Sequence, residues 1–235
     1  MATQESGAKM RKIIHKRNTQ VDPGILRGFS DLLKIYSPSC VVADCQERAG
    51  VMRSYLRPLT ESSRFVGPAL TVRLEPGNQV DCLDALSVAQ AGDVIVVDAA
   101  GETETSIWGG LMSGLCQMKG VVGAVIDGAM RDIDETRALG FFVFAKAIVP
   151  RSTHSPFSGR MEPIEINVPI QCAGVLVNPG DLVLADEVGV VVIPHDNSAE
   201  ILEKARAQAE KEEKTRARIR EGKTVEQILA EFGRM

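Results

Sequence analysis

The sequence predicts an α/β fold with an antiparallel or mixed component. Two observations carry this. Through the middle of the chain, apolar runs rich in β-branched residues alternate with segments of helical spacing, the pattern of βαβ units. Towards the end, the apolar runs become short and directly joined, leaving no room for crossover helices. A length of 235 residues suits one large domain, or one domain plus a helical tail, and is enough to bury a substantial core.

The elements follow in order. Asp22 as a cap and Pro23 at the first helical position start a helix through about Lys34, with Ile25, Leu26, Phe29, Leu32 and Leu33 on its inner face. Strands are expected at 41–43, 65–73, 94–98, 121–127, 142–145, 164–168, 175–177, 182–185 and 190–193, with helices near 80–90, 106–119 and 132–139. From 197 to about 220 the chain is charged and helix-favouring. Ile201, Leu202, Ala205 and Ala209 form a thin apolar stripe there, and Glu210 with Lys214 and Glu212 with Arg216 are i,i+4 pairs. So narrow a stripe on a long helix suggests packing on another subunit. Gly222 breaks the helix before a last short one at 225–232.

Two apolar runs end where chemistry could sit. Residues 121–127 run into Gly128, Ala129, Met130, Arg131 and Asp132, with Gly128 read as a sharp turn after the strand. Asp132, Asp134 and Glu135 then cluster at a helix start, where negative charge is favoured, and Gly140 supplies the stop. Acidic residues in a first turn are also ordinary capping chemistry. Upstream, 92–101 repeats the construction, from Gly92-Asp93 through Asp98 to Gly101. The segment after it has helical apolar spacing but an unusual glycine load, Gly109, Gly110 and Gly114. Each glycine costs a helix roughly 1 kcal/mol against alanine, which points to close approach by a packed neighbour or a ligand.

Composition excludes several classes. A formal charge of −4 leaves no basic surface for nucleic acid, and 4% aromatic residues leave little for base stacking. No apolar run reaches membrane-spanning length and the N-terminus lacks a signal-peptide layout, so a cytoplasmic location is expected. The five cysteines, Cys40, Cys45, Cys82, Cys116 and Cys172, form no C-x-x-C pair and read as reduced core thiols. His15, His154 and His195 have no partners at zinc-ligand spacing.

Taken together, Gly92 to Asp98, Trp108-Gly109-Gly110-Leu111, Ile126 to Asp132, 139–145 and Asn178 to Pro194 resemble the RraA-like superfamily. That superfamily holds class II pyruvate aldolases acting on 4-hydroxy-4-methyl-2-oxoglutarate and 4-carboxy-4-hydroxy-2-oxoadipate, together with the regulator of ribonuclease E activity. The resemblance spans roughly 22–216. It implies an αββα sandwich of the swivelling, phosphohistidine-domain-like type over 1–196, followed by a helical extension at 197–235 packing on a neighbouring subunit. It also implies a homotrimer or homohexamer and a small 2-oxo acid substrate, with neither nucleic acid nor membrane as a partner.

By the same resemblance, Asp132 binds Mg²⁺ or Mn²⁺ directly and Arg131 contacts the substrate's keto and carboxylate oxygens, their side chains diverging around it. The segment Gly109, Gly110, Leu111 and Met112 binds the pyruvoyl carboxylate through backbone amides. A carboxylate from a neighbour's C-terminal helix orders metal-bound water, with Glu212 the match and Glu213 its nearest competitor. Both principal roles are physically reasonable: a hard cation favours carboxylate and retains waters, and a guanidinium carries a charge that does not titrate. The chain departs from the pattern twice. Gly110 stands where many aldolases carry an acid holding metal-bound water, and 77–84 lacks a histidine found there in relatives; Asp81, Asp98 or Glu102 are candidate replacements.

Other readings stay open. Oxaloacetate decarboxylation needs the same cation. A Schiff-base route would use Lys119 or Lys146, although Lys119 has the look of a helix-end residue. A protein-binding regulator like the ribonuclease E inhibitor branch is the non-catalytic alternative, and retention of Asp132 beside Arg131 favours catalysis over it.

Overall fold

The computed structural model describes residues 12–60, 64–75, 80–153 and 164–233. In chain order these form β1 (Ile13–Ile14), α1 (Pro23–Leu32), α2 (Pro38–Cys45), β2 (Arg57–Pro58), β3 (Phe65–Leu74), a 3-10 turn (Leu83–Ser87) and β4 (Val94–Trp108). There follow α3 (Gly110–Met118), β5 (Gly123–Met130), α4 (Ile133–Leu139), β6 (Val143–Ile148), β7 (Ile164–Ile166), β8 (Ile170–Cys172) and β9 (Val175–Val177). The described chain ends with β10 (Leu182–Ala185), β11 (Val190–Ile193), α5 (Ser198–Arg220) and α6 (Val225–Phe232).

Four parallel strands, in the order β3-β4-β5-β6, form the spine, because the segment holding the 3-10 turn, then α3, then α4 return the chain to the same end of the sheet. β3 is shared between two arrangements. Its residues 65–68 pair antiparallel with β10, while 69–73 pair parallel with β4. This join makes the fold a mixed α/β one, as expected. β10 continues into an antiparallel pair with β11, and β8 and β9 form a separate two-stranded ribbon.

The spine strands are apolar on both faces because both faces are covered. Along β4, Ile95 and Val97 join a core with Met112 and Cys116 of α3, whereas Val94 and Val96 face Ile170, Cys172 and Val177 of the β8-β9 ribbon. A third core lies between β10-β11 and the helices, with Leu182, Leu184, Val191 and Ile193 against Phe29, Leu32, Val41 and Val42.

Several expectations are corrected. Residues 41–43 are helical, inside α2: Pro38 opens that helix and Val41 and Val42 both turn inward, so burial overrides β-propensity. β5 does not stop at Asp127 but continues to Met130, pairing with Ala147 and Ile148 after an irregularity. Gly128 is therefore no turn. A Cβ there would lie 2.8 Å from that of Ala99, so it permits strand approach. β4 likewise runs past Asp98 to Trp108, leaving α3 to start at Gly110 rather than 106, and 80–90 yields only the short 3-10 turn. β8 was not anticipated.

The apolar stripe of α5 is also accounted for differently. Ile201, Leu202 and Ala205 are buried against α1 and α2 of the same chain, with Ala209 packed beside them. The narrow stripe has its partner within the domain, and so does not by itself call for a second subunit. Asp22 caps α1 as expected, its carboxylate accepting from the backbone of Gly24 at 2.6 Å and Ile25 at 3.3 Å.

Candidate active site

The C-terminal ends of β4 and β5, where open α/β sheets place their ligands, deliver two loops to one cleft. β4 ends in Trp108, and an extended Gly109 leads into α3. β5 ends in Met130, and Arg131 and Asp132 turn the chain into α4. Together they line a cleft of about 240 Å³ whose walls include Ser106, Ile107, Trp108, Gly109, Leu111 and Met112. Arg131, Asp132, Asp81, Leu83, Ser152 and Thr153 complete it. Of the residues singled out from sequence, Gly109, Leu111, Met112, Arg131 and Asp132 are thus brought together.

A buried hydrogen-bond network holds the two loops in register. The Arg131 amide donates to the Trp108 carbonyl at 2.9 Å. Trp108 Nε1 donates at 3.0 Å to Ser113 Oγ, whose own proton goes to the Gly109 carbonyl at 3.0 Å. Thr136 Oγ1 donates to the Asp132 carbonyl at 3.0 Å. The Trp108 ring stacks on Phe141 at 6.5 Å. Ser113 and Thr136 are fully buried, so each of these bonds replaces one that water would otherwise have made.

Asp132 itself adopts left-handed backbone geometry, φ 51° and ψ 46°, which aspartate tolerates better than most side chains and which is common at functional sites. Its Oδ2 accepts from the Gly110 amide at 3.3 Å and lies 3.5 Å from Arg131 Nε. The Arg131 and Asp132 side chains therefore meet rather than diverge. Both are about two-fifths exposed, and an ion pair in that setting is weak, about 0–1 kcal/mol, so a substrate anion can separate them.

Gly109 and Gly110 at the start of α3 serve close approach, and what approaches is carboxylate, whereas a Cβ on Gly114 would meet only the Leu139 side chain at 3.7 Å. A Cβ on Gly109 would lie 2.6 Å from Asp132 Oδ2, and one on Gly110 would collide with the Glu135 carboxylate. Gly110 is buried behind the cleft wall rather than on it. Gly109 has no side chain with which to cap α3 and Asp132 takes only the Gly110 amide, which leaves donors for an anion at Leu111 and Met112.

The remaining candidates separate. Asp81 lines the cleft, its carboxylate accepting from the Leu83 amide at 3.1 Å. Asp98 and Glu102 do not line it. Asp98 pairs in register with Asp127, and burial, then the Asp127 charge, pushes its carboxyl above the usual range. Lys119 caps the C-terminus of α3, and Lys146 donates to the Gly101 carbonyl at 2.8 Å and lies over the Tyr55 ring; neither reaches the cleft. Glu212 is held on its own helix by Gln208 at 3.1 Å and Arg216 at 2.6 Å, and its neighbour Glu213 pairs with Arg220. Cys82, Cys116 and Cys172 are buried core thiols, whereas Cys40 is exposed and Cys45 half-buried rather than in the core as expected; burial leads the causes that push all five thiols upward, Cys116 to about 12. Gly77, Asn78, Gln79 and His154 lie outside the described residues.

Ser152 and Thr153 were not foreseen as site residues. Ser152 is brought in by bridging to Ser106, a contact no local pattern announces.

Among the described residues no group of three or more His, Cys, Asp or Glu side chains could hold a metal ion. The donor set still suits one kind. A part-exposed aspartate on a cleft that also carries Asp81, Ser152 and Thr153 fits a hard cation that keeps several waters and takes its other ligands from substrate.

The Aldolase/RraA model of the RraA-like family matches residues 39–192. The chain belongs to the RraA-like family. A family member from Halalkalibacterium halodurans, provisionally named 4-hydroxy-4-methyl-2-oxoglutarate aldolase, is 37% identical over 181 residues, covering 77% of this chain and 84% of its own. The 4-hydroxy-4-methyl-2-oxoglutarate aldolase of Thermus thermophilus is 34% identical over 136 residues, 58% of this chain and 79% of its own. Streptomyces coelicolor RraAS2, described as an unusual member of the RNase ES inhibitor RraA family, superposes with a TM-score of 0.70 at 28% identity, covering 84% of this chain and 98% of the other. The RraA-like architecture thus extends over the mixed sheet and its helices. No helix among the described residues is long and apolar enough to cross a membrane.

Proposed function

We propose that this RraA-like protein is a divalent-metal-dependent lyase that cleaves a 4-hydroxy-2-oxo acid to release pyruvate and also decarboxylates oxaloacetate. The observation that carries the reading is the meeting of Arg131 and Asp132 at the N-terminus of α3, inside a cleft. The aldolase names of the relatives from Halalkalibacterium halodurans and Thermus thermophilus support the substrate class.

Asp132 would hold Mg²⁺ or Mn²⁺, with waters in much of the remaining shell. When bound, the cation supplies the positive charge that draws electrons from the breaking carbon–carbon bond towards the 2-oxo group. Arg131 grips the keto and carboxylate oxygens of the 2-oxo acid, exchanging its weak pairing with Asp132 for a substrate anion. The Leu111 and Met112 amides, at the positive end of α3, orient the carboxylate. Ile107, Trp108 and Met112 wall the cleft with apolar surface, which limits water around the reacting carbon. The active form is proposed to be a homotrimer or homohexamer, in which Glu212 of a neighbouring copy would order water beside the cation.

The test is pyruvate release and oxaloacetate decarboxylation before and after chelation. EDTA should abolish both and Mg²⁺ or Mn²⁺ restore them. Arg131→Lys should cut turnover at least a hundredfold with metal affinity nearly intact, while Asp132→Asn should lose metal binding. Full activity after exhaustive chelation overturns the proposal, and borohydride trapping of pyruvate on the protein would replace it with a Schiff-base route.

A second reading is a protein-binding regulator, in keeping with the RNase ES inhibitor family to which Streptomyces coelicolor RraAS2 is assigned. It draws on an exposed apolar face of α3, where Leu111 is 77% and Met118 83% exposed, with Leu115 between them. Absence of lyase activity in the metal-loaded protein, together with ribonuclease inhibition lost in Leu115→Lys, would favour it.

A further inference from the structure

We propose that Glu135 is the second carboxylate of the cation site, seated in the space that Gly110 leaves open. The inference rests on the metal-dependent function proposed above and assigns it a residue that neither the sequence pattern nor the cleft lining singles out.

Asp132 is the N-cap of α4 and Glu135 its third residue, and both carboxylates lie against the start of α3, Asp132 at Gly109 and Glu135 at Gly110. A glutamate at this third helical position ordinarily turns back to bond the amide of the capping residue. Here it does not. Its side chain makes no hydrogen bond or ion pair with any described residue, and it extends instead across the gap between α4 and α3. There it rests against Gly110. A Cβ at 110 would overlap Oε2 and Cδ of Glu135 and lie 2.7 Å from its Cγ.

Gly109 repeats the arrangement with Asp132, whose Oδ2 lies 2.6 Å from where a Cβ would stand and accepts from the Gly110 amide at 3.3 Å. Two consecutive glycines at the start of one helix thus each admit a carboxylate from the facing turn. Any side chain at either position would push one carboxylate away. Asp132 has Arg131 beside it; Glu135 has no cation of its own among the described residues. Two carboxylates, with waters and a substrate oxygen, are what Mg²⁺ or Mn²⁺ accepts, and their combined charge of −2 matches the ion. Glu135 would ligate the cation itself or hold one of its waters. Its carboxylate takes the place that an acidic side chain at 110 would fill.

The measurement is Mn²⁺ binding to the metal-stripped full chain, read by the electron paramagnetic resonance signal of free Mn²⁺, with circular dichroism and melting as fold controls. Asp132→Asn should abolish binding. Glu135→Gln should weaken it at least tenfold with the fold unchanged, and Gly110→Ala should do the same by filling the seat. The double variant Gly110→Asp with Glu135→Ala, which returns a carboxylate from the other wall, should recover most of the affinity. If Asp132→Asn loses Mn²⁺ while Glu135→Gln and Gly110→Ala bind like the parent, the role of Glu135 is overturned and the function above stands. If Asp132→Asn itself binds like the parent, the cation site above falls. A folded double variant that fails to bind overturns the seat as the place where a carboxylate is needed.

Discussion

Replacing Ser113 with alanine should loosen the cleft through a single buried donor. Ser113 Oγ has one proton, which goes to the Gly109 carbonyl, and it accepts the Trp108 indole N–H; the Thr136 proton is already committed to the Asp132 carbonyl. Without the hydroxyl, Trp108 Nε1 is left buried and unpaired, since the ring is only 2% exposed. Leaving such a donor unsatisfied costs about 1–3 kcal/mol, whereas the Gly109 carbonyl loses the hydroxyl but still accepts from the backbone amide of residue 113 at 3.0 Å. A total near 2 kcal/mol corresponds to a fall in Tm of about 4–8 °C for a chain of this size. Thr136→Val should cost less, about 0.5–1.5 kcal/mol, because the Asp132 carbonyl still accepts from the Thr136 amide at 3.0 Å. The assay is direct. Trp108 is the one tryptophan in the chain, so its emission reports this site alone, and Ser113→Ala should shift it to the red while Thr136→Val leaves it nearly unchanged. Equal losses from the two variants, or an unshifted emission in Ser113→Ala, would refute the network as the element that orders the loops.

Three further outcomes are expected. Tyr55 donates to Asp127 at 3.0 Å and burial, then that bond, pushes its phenol up to about 12. The fold therefore favours the neutral phenol, a contribution present below pH 10 and lost as pH rises through 12; being half-buried it is modest, and Tyr55→Phe should remove the later-titrating phenol from absorbance at 295 nm and flatten the alkaline loss of stability. Gly128→Ala should cost about 1–3 kcal/mol by overpacking against Ala99, measured by urea unfolding; a neutral result would mean that β4 and β5 can separate locally. Deleting 198–235 strips Ile201, Leu202 and Ala205 from the third core, removing about 3–6 kcal/mol of burial, so the truncated chain should lose cooperative melting; an unchanged Tm would show that α5 is peripheral.

The sequence by itself determined the α/β class, the spine strands and the pair at the heart of the cleft. Long β-branched runs such as 94–98 cannot be exposed, and bounded by glycine and acid they have only a covered strand to become. Arg131 and Asp132 were legible because neighbours at a strand end reach the same place whatever the rest of the chain does. Asp22 and Pro23 announce α1 for the same local reason.

Tertiary structure decided what depends on partners distant in the chain. Three apolar residues at 41–43 carry no period, so only the core that receives Val41 and Val42 makes them helical. Gly128 reads as a turn locally and is instead a close approach, because Ala99 arrives opposite it through the pairing of β4 with β5. The stripe of α5 looked unpartnered until α1 and α2 were brought beneath it. Glu135 is the sharpest case. Along the chain it is one acid among several at a helix start, and only the packing of α4 against α3 sets its carboxylate over Gly110, because a glycine's function lies in the side chain that enters the room it leaves.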